Sequence, residues 1–328
     1  MSDIKIGILG TGLMSGQRVH HFSQVEGSVV AGVCSRELDK AKAVVGESGA
    51  RAYNDFGAML ADVDAVVIGV PNPLHTQFAL QALEAGKHVL VEYPLAISIE
   101  EAESLKQAGK SAGVVLMVGN TIIHEARFQY LWNNRERLGK IVSAASRASF
   151  YGPENETVWY SCESKRGPMF SSMHYHHIEY YKRFVGPVEW ALGREESIPN
   201  EAAPGCDRLA GGTLLLGHQG NKTSCIQWYM SIAETSAPLC MWLNGTEGSV
   251  TVVTNENGLA SAIWNEGEEG HADVFQDQWG GLGSAQDFVD AVDGRMDHIS
   301  RLDEDIETMK IGLAATASSK DGSIHEIS

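Results

Sequence analysis

The chain lacks a basic surplus, an apolar run long enough to cross a bilayer, and any closely spaced pair of cysteines. Its 25 Lys and Arg stand against 42 Asp and Glu, a formal net charge of −17 over 328 residues. A surface that acidic repels phosphate backbones and anionic lipid, so nucleic acid and membrane are not expected partners. No stretch approaches the ~20 consecutive apolar residues of a membrane span. The opening Met1-Ser2-Asp3-Ile4 runs into a strand pattern without the basic and then apolar leader of a secreted precursor. The five cysteines, Cys34, Cys162, Cys206, Cys225 and Cys240, are odd in number, widely separated and free of CxxC spacing. That pattern fits buried reduced thiols better than a disulfide or zinc framework, and predicts a cytoplasmic protein. Repeats and low-complexity tracts are missing too.

What is present is an ordinary globular mixture, 43% hydrophobic and 20% charged, of a length that corresponds to two domains at roughly 150 residues each. From residue 4 to about 121, short apolar runs rich in β-branched residues alternate with amphipathic stretches, as successive βα units of a parallel sheet do. Strands are expected at 4–9, 29–34, 65–70, 89–91 and 114–118, with helices near 15–25, 37–48, 74–86 and 98–113. After a helical stretch at 125–137, the runs at 140–151, 187–195, 211–219, 222–232, 238–244 and 248–254 are joined by Gly- and Asn-containing turns, which predicts a mostly antiparallel sheet. The expected fold class is therefore α/β: a doubly wound parallel domain over 1–121, then an α+β domain with an open sheet over 122–328. A helix at about 302–318 packs back on the body, and 152–170 reads as a long loop over the active site.

Gly10, Thr11, Gly12, Leu13 and Met14 fall between the first strand and the first helix. There a dinucleotide pyrophosphate needs a tight turn, close backbone approach and a helix N-terminus. The third glycine position holds Ser15, small enough for close helix packing. The second strand ends at Cys34-Ser35-Arg36, where an NAD site would carry an acid for the ribose hydroxyls. A hydroxyl and a guanidinium at Ser35 and Arg36 suit a 2′-phosphate instead, so the expected cofactor is NADP(H). The competing reading pairs Arg36 with Glu37 or Asp39 on the surface.

Val70-Pro71-Asn72-Pro73-Leu74-His75 and Ala85-Gly86-Lys87-His88-Val89-Leu90-Val91-Glu92-Tyr93-Pro94-Leu95-Ala96 resemble the glucose–fructose oxidoreductase/inositol dehydrogenase (Gfo/Idh/MocA) family over nearly the whole chain, most specifically in the first 120 residues. The resemblance implies a Rossmann domain, an open-sheet substrate domain and a homodimer or homotetramer formed through that sheet, with Glu92 near the cofactor. Asn72 and His75 stand at the C-terminal end of the third strand, where open α/β sheets hold ligands; Asn72 is expected to touch the cofactor, and His75 either to do so or to cap or support the following helix. Where the family's Glu-Lys-Pro motif carries a lysine beside the nicotinamide, this chain has Tyr93. Ser171-Ser172-Met173-His174-Tyr175-His176-His177-Ile178-Glu179 matches a second family motif, with His176 as the family histidine, Ser172 in place of an aspartate and Glu179 as a downstream acid.

An ammonium helps an alcohol lose its proton by stabilising the alkoxide, whereas a phenol of pKa about 10 is a poor base and a usable donor. Replacing the lysine thus tilts the expectation towards reduction of a small carbonyl or conjugated substrate by NADPH, with Tyr93 and His176 catalytic. Ser172, Tyr175, Glu179 and Trp159 are candidate substrate contacts. Glu92-Tyr93-Pro94 also resembles the biliverdin reductases, which makes linear tetrapyrrole reduction an alternative. Loss of the lysine and the aspartate keeps open a third, a ligand- or NADP-sensing member without catalysis. His174, His176 and His177 lack a further ligand at helical spacing, so no metal is expected.

Overall fold

A computed structural model describes residues 3–151, 159–201, 203–231, 237–255, 257–266 and 269–327. The described chain forms two compact units. Unit one comprises Met1–Thr121 and Gly280–Glu307; unit two comprises Ile122–Trp279 and Thr308–Ser328.

Unit one begins β1 (Ile4–Leu9), α1 (Leu13–Phe22), β2 (Ser28–Cys34), α2 (Leu38–Val45), β3 (Arg51–Tyr53) and α3 (Phe56–Asp62). It continues β4 (Ala65–Ile68), α4 (His75–Glu84), β5 (His88–Val91), α5 (Ile99–Ala112) and β6 (Leu116–Val118). The strands pair in parallel in the order β3-β2-β1-β4-β5-β6, the doubly wound arrangement whose order reverses between β1 and β4. Ile8, Val33, Val67 and Leu90 line one face of the sheet and Leu9, Val66, Ile68 and Val91 the other, all buried, so both sheet faces are dry. The helix ends follow local chemistry: Asp55 caps α3 by accepting from the Ala58 N–H, Ser98 caps α5 by accepting from Glu101, and Gly113 ends α5 in the left-handed region.

Unit two runs α6 (Ala126–Asn133), β7 (Ile141–Tyr151), α7 (Glu163–Arg166), α8 (Met169–Met173), α9 (Tyr175–Val185), β8 (Val188–Pro199), β9 (Asp207–His218) and β10 (Lys222–Ser231). There follow β11 (Ala237–Gly245), β12 (Ser249–Thr254), β13 (Leu259–Glu266) and β14 (Glu269–Gln276). Along the chain then come α10 (Gly281–Val292), which belongs to unit one, α11 (His298–Asp321), which spans both, and β15 (His325–Glu326) of unit two. Its sheet has nine strands in the order β14-β13-β12-β11-β7-β10-β9-β8-β15. All pairs are antiparallel except β7 with β10. One face is core: Met241, Leu243, Val250, Val252, Ala260, Ala262 and Trp264 are buried.

Four sequence expectations change. The parallel sheet gains a sixth strand, β3, whose three residues are too few to make an apolar run. The stretch after residue 122 is not one body, because α10 returns to unit one, where Phe288 meets Phe22 edge to face at 6.2 Å. Helix α11 is longer than expected, and the boundary between the units falls inside it. The expected loop at 152–170 is helical in its second half, with a 3-10 turn at Trp159–Ser161, then α7 and the start of α8; 152–158 lie outside the described residues.

The reduced-thiol reading fails for Cys162 and Cys206, which form a disulfide across 44 residues of sequence. Spacing along the chain concealed it, because the two cysteines meet only where β9 packs against the turn at Trp159–Ser161. The inference of a reducing compartment loses its premise with that pair. Alkylation of the denatured, unreduced protein is expected to label Cys34, Cys225 and Cys240 alone. Peptide mass mapping that finds label on Cys162 or Cys206 without reductant would contradict the disulfide.

Candidate functional site

In unit one the expected cofactor residues gather at the C-terminal edge of the parallel sheet, around the point where strand order reverses. Gly10 has φ +125°, and a Cβ there would stand 2.2 Å from the Gly69 carbonyl oxygen, so only glycine closes this turn. Ser15 is buried, and its Oγ fills the space beside Gly10 and Gly69. A Cβ on Gly12 would meet nothing within 4 Å. Gly12 begins α1 without a side-chain cap, and the first turn carries no acid. Thr11, Gly12, Leu13 and Met14 therefore present open backbone N–H groups and an unneutralised helix dipole. That arrangement fits a nucleotide's phosphates.

At the end of β2, Ser35 accepts from the Glu37 N–H at 3.4 Å. Glu37 pairs with Lys40 and Asp39 with Lys42. Among the described residues, exposed Arg36 has no ion-pair partner. The reading that it serves a surface pair with Glu37 or Asp39 is thus not the arrangement seen.

Asn72 is buried in the 3-10 turn after β4, and half-buried Tyr93 follows β5 with a cis peptide bond to Pro94. Two residues expected to touch cofactor are otherwise engaged. His75 is fully buried, with Nδ1 2.8 Å from the Pro94 carbonyl and Nε2 2.9 Å from that of Val70, so it ties the segment after β4 to the turn after β5. Burial lowers its pKa against the pull of those carbonyls and of Glu92, and the neutral ring donates to one carbonyl at a time. Glu92 gives both carboxylate oxygens to Arg18, at 2.6 Å from Nε and 3.2 Å from Nη2. Arg18, on α1, also donates to the carbonyls of Gly119 and Gly281 and to Ser284 Oγ. The Arg18 guanidinium and the Ser284 hydroxyl carry no periodic signature, and this anchor was missed in the sequence.

In unit two, α8 and α9 carry the second motif. Ser172 is buried and donates to the Pro168 carbonyl at 2.7 Å. Tyr175 is fully buried with its ring edge towards His176. Trp159 opens the 3-10 turn before α7, and its side chain lies outside the described residues. Glu179 is corrected from a substrate contact to a structural acid. It is fully buried, 2.6 Å from Arg183 Nε and 3.1 Å from Lys182 Nζ, and it accepts from Thr308 Oγ1. Burial alone would raise its pKa, but the two cations outweigh burial and lower it.

His176 keeps some exposure, yet burial first and the nearby Arg127 second lower its pKa to about 3. His174, 3.1 Å from the Gly212 carbonyl, is lowered to about 4 mainly by burial, and His177, beside Ser146 Oγ at 3.0 Å, is lowered well below the ordinary value for the same reason. All three are neutral imidazoles at neutral pH. Arg127 was not anticipated. It pairs with Glu125 and, at 2.7 Å, with Asp277, joining the start of α6 to the segment after β14. The short-range Glu125-x-Arg127 spacing was a visible hint; Asp277, 150 residues on, was not. Among the described residues, no cluster of His, Cys, Asp and Glu is arranged to hold a metal ion.

Residues 4–120 match the family model of oxidoreductases with an NAD-binding Rossmann fold. An uncharacterized oxidoreductase of Rhizobium meliloti is 40% identical over 109 residues, 32% of this chain and 33% of that protein. The chain thus spans about a third of the length of that curated relative. A 3-ketoreductase of Actinomadura kijaniata, solved with NADP and TDP-benzene, superposes with a TM-score of 0.85 at 20% identity over 97% of this chain and 98% of that one. Biliverdin reductase of Synechocystis sp. PCC 6803, solved with biliverdin and NADP+, superposes with a TM-score of 0.83 at 20% identity over 96% of this chain and 98% of that one. At such identity the likeness is one of fold.

The neutral histidines make stability fall in acid. Above pH ~6.5 neither folded nor unfolded rings are charged. Below it the unfolded chain takes up protons that the folded rings refuse until their own pKa values, about 4 for His174 and about 3 for His176, are reached. Each ring therefore removes stability as pH falls from ~6.5, by up to about 1.4 kcal/mol per unit. Urea unfolding midpoints should drop between pH 7 and pH 5, and drop less steeply in His174→Asn. A midpoint unchanged over that range would contradict the buried neutral assignment.

Proposed function

Because this chain belongs, through residues 4–120, to the Gfo/Idh/MocA oxidoreductases with an NAD-binding Rossmann fold, we propose that it is an NADP(H)-dependent reductase of a small carbonyl or conjugated compound. The observation that carries the cofactor choice is the end of β2, where no acid stands and Arg36 is exposed without a carboxylate partner among the described residues. A guanidinium left open there is matched to a 2′-phosphate, by charge and by its planar fork. The pyrophosphate is assigned to Gly10–Met14.

A bound nicotinamide supplies the hydride. What the chain's own residues supply is hydrogen-bond donation to the oxygen or nitrogen that gains charge, assigned to the Tyr93 phenol and to His176. A neutral imidazole with a pKa of about 3 is a very weak base and still has one N–H to give. That favours reduction, in which a donor is needed, over alcohol oxidation, in which a proton must be accepted. Tyr93 in the lysine position supports the same direction. It also supports linear tetrapyrrole reduction as a second reading, with the biliverdin reductase fold beside it. A sensor that binds nucleotide without turnover is the remaining one.

We also infer self-association through the outer face of the nine-stranded sheet. The register places Trp242, Ile263 and Val274 on one face, opposite the buried row that includes Leu243 and Ala262, and they are 38%, 44% and 60% exposed. Apolar sheet surface of that kind is a liability unless another copy covers it.

Arg36→Ala should weaken NADPH binding by about 10- to 100-fold, as loss of a charge-assisted phosphate contact of roughly 1.5–3 kcal/mol implies, and leave NADH binding unchanged; equal effects on both would remove the 2′-phosphate assignment. NADPH consumption with biliverdin, with sugar ketones and with no substrate separates the readings: oxidation with a ketone supports the first, with biliverdin alone the second, with neither the sensor. In whichever assay turns over, the Tyr93→Phe, His176→Ala double variant should lose at least 100-fold in kcat. Turnover unchanged in that variant would end the donor assignment.

A further inference from the structure

Unit two holds an open pocket at the end of α9 away from the His176 motif, about 15 Å along the helix axis from Tyr175. It is open to solvent and offers about 730 Å³ between the ends of α6 and α9, the start of β7 and the turn joining β9 to β10. That volume lies within the roughly 300–1,000 Å³ of small-ligand sites. Its charge runs against the rest of the molecule. Acids outnumber bases 42 to 25 along the chain, yet the lining carries Arg135, Lys140, Arg183 and Lys222 against Glu136 alone.

Three of these cations have no carboxylate partner among the described residues. Arg135 lies 4.5 Å over the Trp132 ring and gives one N–H to the Trp132 carbonyl at 2.6 Å, so its fork is oriented rather than neutralised. Lys222 donates to the Val185 carbonyl at the last turn of α9. Lys140 is exposed at the rim, its backbone held by Thr246 Oγ1 at 3.0 Å. Arg183 is already paired with Glu179. Trp132 and Phe184, packed edge to face at 5.5 Å, form an apolar wall beside this charge.

We propose that this cavity binds a phosphorylated small molecule, with its phosphate among Arg135, Lys140 and Lys222 and its uncharged body against Trp132 and Phe184. Three uncompensated cations exceed what one carboxylate neutralises, whereas a phosphate ester or pyrophosphate carries two or more negative charges and accepts both a planar Arg fork and Lys point charges. The assignment does not depend on the reading of unit one, and its failure is distinguishable from failure there.

The test is calorimetric titration of the full chain, with NADPH saturating, using inorganic pyrophosphate as the probe, against citrate and against potassium chloride at matched ionic strength. Pyrophosphate should bind, and the Arg135→Ala, Lys140→Ala double variant, altered only at exposed side chains, should bind it at least tenfold more weakly with an unchanged Tm. Arg36→Ala is titrated in parallel and should leave pyrophosphate affinity within twofold of the unaltered chain. No heat beyond the chloride control overturns the proposal. So does an affinity untouched by the double variant, an affinity lost in Arg36→Ala, or citrate binding as tightly as pyrophosphate.

Discussion

The ion pair between Arg18 and Glu92 sets the geometry of the first unit. Arg18 is wholly buried, and an isolated charge in such a place costs several kcal/mol, roughly, before any compensation. Compensation comes from four residues in three parts of the chain: Glu92 after β5, Gly119 after β6, and Gly281 and Ser284 in α10. Because Arg18 lies on α1, the rotation of the helix whose N-terminus follows Gly12 is locked to the residue that precedes Tyr93. The glycine at 119 is part of the same constraint, since a Cβ there would come within 2.6 Å of the Arg18 guanidinium. The glycine turn before α1 and a candidate catalytic residue are thereby held in register by one buried side chain.

The second unit uses the same device. Arg127, between Glu125 and Asp277, ties the first helix of the unit to the segment that follows the last long strand of its sheet. It has a further electrostatic effect, because a fixed positive charge in a dry interior opposes a second one. His176 and His177, already held neutral by burial, are pushed further that way by Arg127. Structural charge and the protonation state of a candidate donor are therefore not independent. Removing the guanidinium would strand two carboxylates and release part of the restraint on the imidazoles.

What could be read from the sequence followed locality. The glycine turn, the β2 tip and the apolar strands of the parallel sheet are written in consecutive residues, and each falls within a few positions of its expected place. Lys40 and Lys42 took the acids next to Arg36, a detail decided by helical spacing that separates a solvated arginine from an open one. What was hidden is long-range. Glu92 meets Arg18 across 74 residues, Cys162 meets Cys206 across 44, and α10 rejoins the first unit after the whole nine-stranded sheet. Charged residues in a sequence look like surface until a partner is known, and His75 looks like a ligand until two carbonyls are seen on either side of its ring.

Each departure from the family motifs removes a formal charge. The resemblance places a lysine where Tyr93 stands and an aspartate where Ser172 stands, one charge of each sign, and this chain has dropped both. Ser172 illustrates the consequence, since its hydroxyl is fully satisfied by the carbonyls of its own helical turn, a role that a carboxylate, having no proton to donate, could not fill. The donors proposed above, the Tyr93 phenol and the neutral His176 imidazole, bear no formal charge in the ground state. They gain most when negative charge develops on a substrate atom as hydride arrives, and that difference between ground and transition state is the only part of an interaction that accelerates a reaction.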